Sequence, residues 1–397
     1  MVNCQLIERA YECAHIRRWN DHIRPVEFTE LDKQAHKMVI AYVIARFEEE
    51  GGGQDIDWIR LIEGGIFEFL HRIILTDIKP PVFHKMMREK GRELNRWVLG
   101  KLDDEISQVN GGFSKRFRQY LFEPQYAHRE KRILKAAHYL ATQWEFNIIY
   151  KLCPFAYGIE RTKEEIETLI EDHYELTGVQ RISLSRKVAG FVNVCGQLRF
   201  QRRWSQSPRI PETSVLGHML VVAITTYLCL RDIGASDQRI QNGFLGGLFH
   251  DLPEVLTRDI TSPVKNAVAG LDSIIKDYEK QQMEERLLPL LPESWHQEIR
   301  YYTENEFSNR AIVDDQVKLG LSAEELGSTY SDAQFNPLDG EVIRACDHLA
   351  ALIEASLSIG HGVTSKHLTE GRDRLLSQYE GRNISGIDFG HLFSSFA

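Results

Sequence analysis

Residues 217–232 read GHMLVVAITTYLCLRD, an apolar stretch that is interrupted near its start by one histidine, His218. Apolar residues recur in it at three- and four-residue spacing, which predicts a buried helix because such residues share a helix face. Alternating polar and apolar residues, which would predict strands, are scarce in the sequence. We therefore predict an all-α fold. The same helical period occurs in four further segments, at residues 33–50, 162–176, 271–288 and 341–358.

Length and composition limit the class of protein. The 397 residues exceed what most single hydrophobic cores contain, and they predict two domains. The formal net charge of −9 argues against binding to polymeric nucleic acid or to an anionic membrane. The longest apolar run is too short to span a bilayer, and the first ten residues show no signal-peptide pattern. Six cysteines without a C-x-x-C pair indicate reduced thiols, so we expect a cytoplasmic protein.

The two halves of the chain resemble each other. When the first half is shifted by 182 residues, thirteen identities fall within residues 36–82, where chance gives roughly three. In this alignment His36 corresponds to His218, and Gly64-Gly65 corresponds to Gly246-Gly247. HIRRW at 15–19 also echoes FQRRW at 200–204, and ILKAAHYLA at 133–141 echoes VIRACDHLA at 342–350. We expect a duplicated helical unit, with domains at residues 1–177 and 188–397.

The second half contains a set of side chains suited to a metal ion. His218 and Asp347 each lie in an apolar helical segment, and His250-Asp251 follows another, LGGLF. A single buried histidine is more often a hydrogen-bonded core residue than a ligand. Two imidazoles and two carboxylates together suit a divalent transition ion, and four protein ligands leave positions open for water and substrate. We therefore predict a metal site at these four residues.

A resemblance to a known family begins at the same residues. HDLPEVLTRDITSPVK at 250–265 resembles the HD-x-x-E-V-x-T-G-D-x-x-T-P-V-K stretch of bacterial 5′-deoxyribonucleotidases, which are HD-domain metal-dependent phosphohydrolases. The order of His218, His250-Asp251 and Asp347 is similar to the metal-binding signature of that superfamily. The pair Arg203-Trp204 is similar to an Arg-Trp pair of the same branch. The resemblance implies two tandem HD-like helical bundles, of which the second holds one divalent ion: Mn, Co, Zn, Fe, Ni or Mg.

The resemblance also implies roles for individual side chains. Glu254 would orient or deprotonate the attacking water or protonate the leaving group, and Asp259 would hold sugar hydroxyls or assist proton transfer. Arg203 would clamp the phosphate, Trp204 would wall the sugar, and Lys265 would be a further phosphate contact. Each residue has a structural alternative. Glu254 could be a solvated helix-end acid, Asp259 a helix cap, Arg203-Trp204 a packing pair, and Lys265 a surface lysine.

The first half lacks the set of potential ligands. The aligned residues are Glu68 for His250, Phe69 for Asp251, Arg72 for Glu254 and His138 for Asp347. Phenylalanine cannot coordinate a metal, so we expect no catalytic metal in this half and structural roles for His36 and His71. Because single-copy relatives are generally homodimers, we expect the two halves to pack as an intramolecular pseudo-dimer. The whole chain would then be a monomer or a dimer.

These residues predict a phosphohydrolase for small nucleotides. The first candidate substrate is a nucleoside 5′-monophosphate, perhaps a deoxynucleotide, which metal-activated water would split into nucleoside and phosphate. The alternatives are an HD hydrolase of triphosphates, cyclic nucleotides or guanosine polyphosphates, and a nucleotide-binding sensor or scaffold with little turnover. Retention of Glu254 argues against the sensor, because a sensor needs no general acid or base.

Overall fold

The computed structural model describes residues 2–52, 55–258, 268 and 270–397. The fold is all-α, as the helical periodicity predicts, and the few strands form three two-stranded hairpins. The described chain divides into two units, a first unit of Asn3–Leu184 and a second unit of Ser185–Ala397.

The first unit is built around a helix that is buried on nearly every side. This helix, α2, begins after the N-cap residue Thr29, whose hydroxyl accepts the N–H of Asp32. The strand pair β1 (Arg17–Arg18) and β2 (Phe28–Thr29) leads into it. The helices of this unit are α1 (Cys4–His15), α2 (Glu30–Glu50), α3 (Trp58–Leu75), α4 (Pro80–Ile106), α5 (Phe113–Phe122), α6 (His128–Leu152), α7 (Ile159–Glu171) and α8 (Thr177–Ser183).

The second unit also contains a buried central helix, α10. The helices of the second unit within the described residues are α9 (Lys187–Gln197), α10 (Val215–Asp232), α11 (Asp237–Phe249), α12 (Glu254–Thr257), α13 (Leu271–Gln282), α14 (His296–Thr303), α15 (Ala323–Gly327), α16 (Gly340–Gly360), α17 (Lys366–Tyr379) and α18 (Phe389–Ser394). Short 3₁₀ turns lie at Leu198–Phe200, Leu288–Leu290, Glu293–Trp295 and Ala333–Phe335, and a π turn lies at Met283–Leu287. The hairpins are β3 (Arg310–Val313) with β4 (Gln316–Leu319), and β5 (Asn383–Ile384) with β6 (Ile387–Asp388).

Helix α10 is apolar on all faces because it lies in the core. Ser214 caps its first turn by accepting the N–H of Gly217 at 3.0 Å. Within the described residues, α10 is the one helix whose length and composition would suit a membrane span, and 89% of it is buried inside the unit. Such burial is typical of the core helix of a soluble protein.

A glycine contact brings α11 close to α10. A Cβ atom added to Gly247 would lie 2.8 Å from the Cα of Ala223, so only glycine permits this approach of the two backbones. The close crossing holds the end of α11, with His250 as its C-cap residue, next to the first turn of α10. The rings of His218 and His250 are consequently only 5.5 Å apart, centroid to centroid.

A buried ion pair fixes the start of α16 against α11. Arg239 donates two hydrogen bonds to the Asp339 carboxylate, at 2.9 and 2.6 Å, and both residues are buried. Bidentate geometry of this kind orients both side chains as well as attracting them. Helix α16, which carries Asp347, is thereby held in register with the helix that ends at His250.

Candidate metal centre

The structure brings together the four side chains predicted as metal ligands. The Nε2 atom of His218 lies 3.0 Å from an Asp347 oxygen and 3.7 Å from an Asp251 oxygen. The Nε2 atom of His250 lies 3.1 Å from the same Asp251 oxygen. One potential ligand atom from each of His218, His250 and Asp347 lies within 4.8 Å of the others. Ligand atoms about 2.0–2.2 Å from one ion lie up to about 4.4 Å apart, so small adjustments suffice to bind it.

The His250 imidazole is oriented as metal-binding histidines commonly are. His250 Nδ1 lies 2.8 Å from the Gly247 carbonyl oxygen and donates to it, which leaves Nε2 directed at the carboxylates. Among the described residues, Nε2 of His218 and Nε2 of His250 are both buried and lack a partner with hydrogen-bond geometry. Buried nitrogen atoms that converge on carboxylates without hydrogen bonds fit a divalent ion.

The charges of the cluster also favour a cation. Burial opposes ionisation of Asp251, but His250 and His218 outweigh it and lower the pKa of Asp251 to about 2. Burial likewise opposes ionisation of Asp347, and His218 and Arg203 together lower its pKa well below the usual value. Burial lowers the pKa of His250, but the Asp251 and Asp347 carboxylates outweigh burial and raise it to about 9. Both carboxylates are therefore anionic at neutral pH.

Arg203 lies at the edge of this cluster. Its guanidinium nitrogens are 3.5 Å from an Asp251 oxygen and 3.7 Å from an Asp347 oxygen. Trp204 follows it with a φ of 56°, in the left-handed region that a tryptophan rarely adopts. The sequence predicted both residues to lie at the site, and the structure places Arg203 against two of the four predicted ligands.

Glu354 belongs to the same region, although it is not among the residues that the sequence predicted to lie there. It is 1% exposed, lies two helical turns after Asp347 in α16, and accepts hydrogen bonds from Trp204 Nε1 at 3.0 Å and Thr213 Oγ1 at 2.6 Å. Burial opposes its ionisation, but Arg209 and Arg203 outweigh burial and lower the pKa of Glu354 to about 2. A carboxylate on the apolar face of a predicted helix was the signal that could have identified it.

The remaining predicted residues fall in the segment after the His-Asp pair. Glu254 begins α12 and is 7% exposed, and its main-chain N–H donates to the Asp251 carbonyl at 3.1 Å. It therefore lies one turn beyond the pair and is a buried acid rather than a solvated one. Asp259 and Lys265 lie outside the described residues.

Several contacts in the first unit resemble contacts around this site, with different side chains. Arg17 pairs with Thr29 as Arg202 pairs with Ser214, and Trp19 has a φ of 59°. Arg18 Nε and Trp19 Nε1 each donate to Glu145 at 2.8 Å, as Arg203 and Trp204 approach Glu354. The residues with similar contacts in the first and second units are Arg17 and Arg202, Arg18 and Arg203, Trp19 and Trp204, Thr29 and Ser214, and Glu145 and Glu354.

The contacts correct one part of the ungapped alignment. Lys33 Nζ contacts His138 Nδ1, as His218 contacts Asp347, so Lys33 rather than His36 lies where His218 lies. A Cβ at Gly65 would meet the side chain of Met38, as a Cβ at Gly247 would meet Ala223, which gives the same register. The sequence between Met38 and Gly65 in the first unit is three residues longer than the sequence between Ala223 and Gly247 in the second unit. An alignment without gaps cannot represent this difference.

The other first-half residues pack within their own unit. Glu68 accepts from Lys37 Nζ at 2.9 Å and from Tyr120 at 2.6 Å. The His36 ring packs edge-on against Trp144, and His71 Nε2 lies 3.0 Å from Asn95 Oδ1. Ion-pair contacts join Arg72 to Glu30 and to Asp77, at 3.6 Å each.

Comparison with known proteins agrees with the geometry. The family model described as "HD domain" matches residues 195–376, a range that includes all four predicted ligands and Glu354. Over 70 residues the chain is 33% identical to a dATP triphosphohydrolase of Acinetobacter phage SH-Ab 15497, a match covering 17% of this chain and 34% of the relative. The chain thus spans about a third of the length of that relative. These matches support the HD superfamily, whereas the 5′-deoxyribonucleotidase branch stays a prediction.

Proposed function

We propose that the second unit is a metal-dependent phosphohydrolase that acts on small nucleotides. The observation that carries the proposal is the convergence of His218 Nε2, His250 Nε2 and an Asp347 oxygen within 4.8 Å, beside the Arg203 guanidinium. We infer that His218, His250, Asp251 and Asp347 hold one divalent ion. Such an ion supplies a water of lowered pKa and offsets the negative charge of a phosphoryl group.

Arg203 is suited to bind the phosphate. Its guanidinium lies within 3.7 Å of two carboxylates that would share their charge with an ion, so an anionic phosphoryl oxygen is a favourable additional partner there. The planar guanidinium can donate two parallel hydrogen bonds to one phosphate. Trp204, which is fixed next to it, would form the wall of the sugar site.

Glu254 is the residue we propose for proton transfer. It is buried, and it lies one turn after the His250-Asp251 pair. A carboxyl group in this position is suited to remove a proton from the attacking water or to protonate the leaving oxygen. For Asp259 and Lys265 the roles remain those that the resemblance implies: sugar binding or proton transfer, and phosphate binding.

The substrate has two candidates. The similarity of 250–265 to the deoxyribonucleotidase motif favours a nucleoside 5′-monophosphate, perhaps a deoxynucleotide. The dATP triphosphohydrolase relative equally favours a nucleoside triphosphate. Cyclic nucleotides, guanosine polyphosphates and a sensor with little turnover remain further alternatives. The native ion is open among Mn, Co, Zn, Fe, Ni and Mg, because two imidazoles and two carboxylates accept all of these.

The decisive experiment is a substrate screen with identification of the products. The purified chain, loaded with Mn²⁺ or Co²⁺, is incubated with nucleoside mono-, di- and triphosphates, cyclic nucleotides and guanosine polyphosphates. Orthophosphate from monophosphates supports the first candidate, whereas tripolyphosphate from triphosphates supports the second.

Glu254→Gln tests the catalytic assignment in the same assay. We expect it to lower turnover by about 10²–10⁴-fold while metal binding is retained, because it removes only the proton-transfer group. Glu341→Gln, the same change at an exposed acid of the second unit, is the matched control and keeps full activity. Tight nucleotide binding by the wild type, with no phosphate released under any metal, would favour the sensor.

We also propose that the first unit is a degenerate copy without a catalytic metal. Supporting this, Lys33 has the position of His218, and Phe69, which aligns with Asp251, offers no ligand atom. Burial lowers the pKa of Lys33 well below its usual value. The boundaries 1–177 and 188–397 and the intramolecular pseudo-dimer remain predictions, as do a cytoplasmic location and the monomeric or dimeric state of the chain.

A further inference from the structure

We propose that Glu354 is a positioning residue of the nucleotide site, which holds Arg203 and Trp204 in the orientation that receives the phosphate and the sugar. The proposal rests on the proposed function for the roles of these two residues. It concerns a group of side chains that we call the Glu354 cluster, consisting of Arg203, Trp204, Arg209, Thr213 and Glu354.

Glu354 contacts every other member of the cluster. One carboxylate oxygen accepts from Trp204 Nε1 at 3.0 Å and from Arg203 Nε at 3.4 Å. The other oxygen accepts from Thr213 Oγ1 at 2.6 Å. Glu354 is 1% exposed and lies on the rigid helix α16, so these bonds fix the loop before α10 to the helix that carries Asp347. A change at Glu354 is therefore transmitted to both predicted substrate contacts.

Arg209 provides a second positive charge for the same carboxylate. Its guanidinium lies 3.6 Å from Glu354, and it donates to the carbonyl oxygens of Arg203 and Thr213 at 3.3 Å each. Arg209 is 5% exposed and thus a permanent part of the core. Because Arg209 balances the charge of Glu354, Arg203 can direct its charge at a phosphate without leaving a buried carboxylate uncompensated.

Trp204 is held from two sides. Its indole N–H is bonded to Glu354, and its ring packs against Gly371 of α17, where an added Cβ would lie 2.8 Å from the ring. A tryptophan with a φ of 56° is strained and keeps this conformation only when its surroundings determine it. The contacts of Trp204 with Glu354 and Gly371 hold it in this conformation.

Comparison with the first unit distinguishes a purely structural role of the buried glutamate from a positioning role. There Arg18 lies between two buried carboxylates, Glu145 at 2.8 Å and Glu30 at 2.7 Å. In the register given by Lys33 and His218, the counterpart of Glu30 is Val215. The second unit thus retains the equivalent of Glu145, but Arg203 faces the predicted metal ligands where Arg18 faces a second acid. Arg18 is held entirely within its fold, whereas Arg203 is held on one side and directed at the site on the other.

The test compares Glu354→Gln with Glu145→Gln. Each variant keeps the size of the side chain and one acceptor oxygen and removes a buried negative charge that contacts one Arg-Trp pair. Both are expected to lower the melting temperature. Only Glu354→Gln is expected to raise KM, by about 10–100-fold with a smaller change in kcat, because the two predicted substrate contacts lose a charged hydrogen-bond partner. Glu145→Gln is expected to keep wild-type KM.

Two further arms keep the test decisive. Glu354→Asp restores the charge at a shorter reach and is expected to give an intermediate KM; it serves if Glu354→Gln does not fold. Orthophosphate titration of the Mn²⁺-loaded protein requires no turnover, and Glu354→Gln is expected to weaken orthophosphate binding by the same factor as it raises KM.

If the wild type hydrolyses no substrate but Glu354→Gln weakens orthophosphate binding, the proposed function fails and the positioning role stands. A Glu354→Gln variant with wild-type KM and orthophosphate affinity, equal losses in Glu145→Gln, or no orthophosphate binding by wild type would overturn the proposal.

Discussion

The Nε2 atom of His218 lies 3.0 Å from a carboxylate oxygen of Asp347, although the two residues belong to different helices, α10 and α16. Removing such titratable side chains from water is unfavourable unless they meet a charged or hydrogen-bonding partner. The contact depends on the crossing of α11 with α10 at Gly247 and on the Arg239–Asp339 pair, which sets the position of α16. The predicted chemistry of the site therefore rests on helix packing as much as on ligand identity.

Asp347→Asn is expected to weaken Mn²⁺ binding by more than about 100-fold, because loss of a partner outside the ligand shell alone costs about 10–100-fold. The variant keeps the shape of the side chain but loses one anionic ligand. Isothermal titration with Mn²⁺ measures the effect. Asp388→Asn, the same change at the cap of α18, is the control and keeps wild-type affinity. Unchanged affinity in Asp347→Asn would remove this residue from the site.

Arg203→Lys is expected to lower kcat/KM by about 10–100-fold, since a charge-assisted hydrogen bond contributes about 1.5–3 kcal/mol and lysine cannot bind a phosphate with two parallel donors. Steady-state kinetics on the substrate found in the screen measure this effect. Arg202→Lys is the matched control, because the Arg202 side chain is exposed and pairs with Glu212 at the surface. Equal kinetics for both variants would contradict a phosphate-binding role for Arg203.

Glu30→Gln is expected to destabilise the first unit in a pH-dependent way. Burial opposes ionisation of Glu30, but Arg18, Lys33 and Arg72 outweigh it and hold its pKa well below the usual value. Because the pKa is lower in the folded state, ionised Glu30 adds stability above about pH 4.5, and this stability is lost as the pH falls through the folded pKa. Removing one partner of such a buried pair costs about 3–5 kcal/mol at pH 7.

Calorimetric melting of wild type and Glu30→Gln between pH 7 and pH 3 measures this dependence. The difference between the two proteins is expected to shrink as the pH falls below 4.5. Glu27→Gln, at an exposed acid that pairs with Arg24, should change stability by less than about 0.5 kcal/mol throughout. A difference between wild type and Glu30→Gln that stays constant over this range would show that the charge of Glu30 is not responsible.

Gly247→Ala is expected to destabilise the second unit by about 1–3 kcal/mol, because the new methyl group would lie 2.8 Å from the Ala223 backbone, which cannot move independently of α10. The variant should also weaken Mn²⁺ binding, since His250 follows three residues later. Gly360→Ala, where an added Cβ has no atom within 4 Å, is the control and should be tolerated. Thermal melting and Mn²⁺ titration of both variants check this, and equal behaviour would contradict the proposed close crossing.

His250-Asp251, His218 and Asp347 could be selected as candidate ligands from the sequence. Each is a polar residue in or directly after an apolar helical segment, and such a pattern is visible in the local sequence. Glu354 carries the same local signal, yet its importance depends on Arg209 and Thr213, which lie in an irregular loop far from it in sequence. The position of Lys33 could not be predicted from the ungapped alignment, because the first unit has three additional residues between α2 and α3.

By itself the sequence determined that this protein is all-α and that the order of its histidines and aspartates resembles that of HD-domain proteins, because helical periodicity and residue identity are local properties of the chain. Only the tertiary structure decided which side chains meet. It places Lys33 against His138 in one unit and His218 against Asp347 in the other, and it gathers two arginines, a tryptophan and a threonine around Glu354. The physical reason is that contacts between helices depend on where the helices cross, and the crossing is set by close approaches such as that at Gly247.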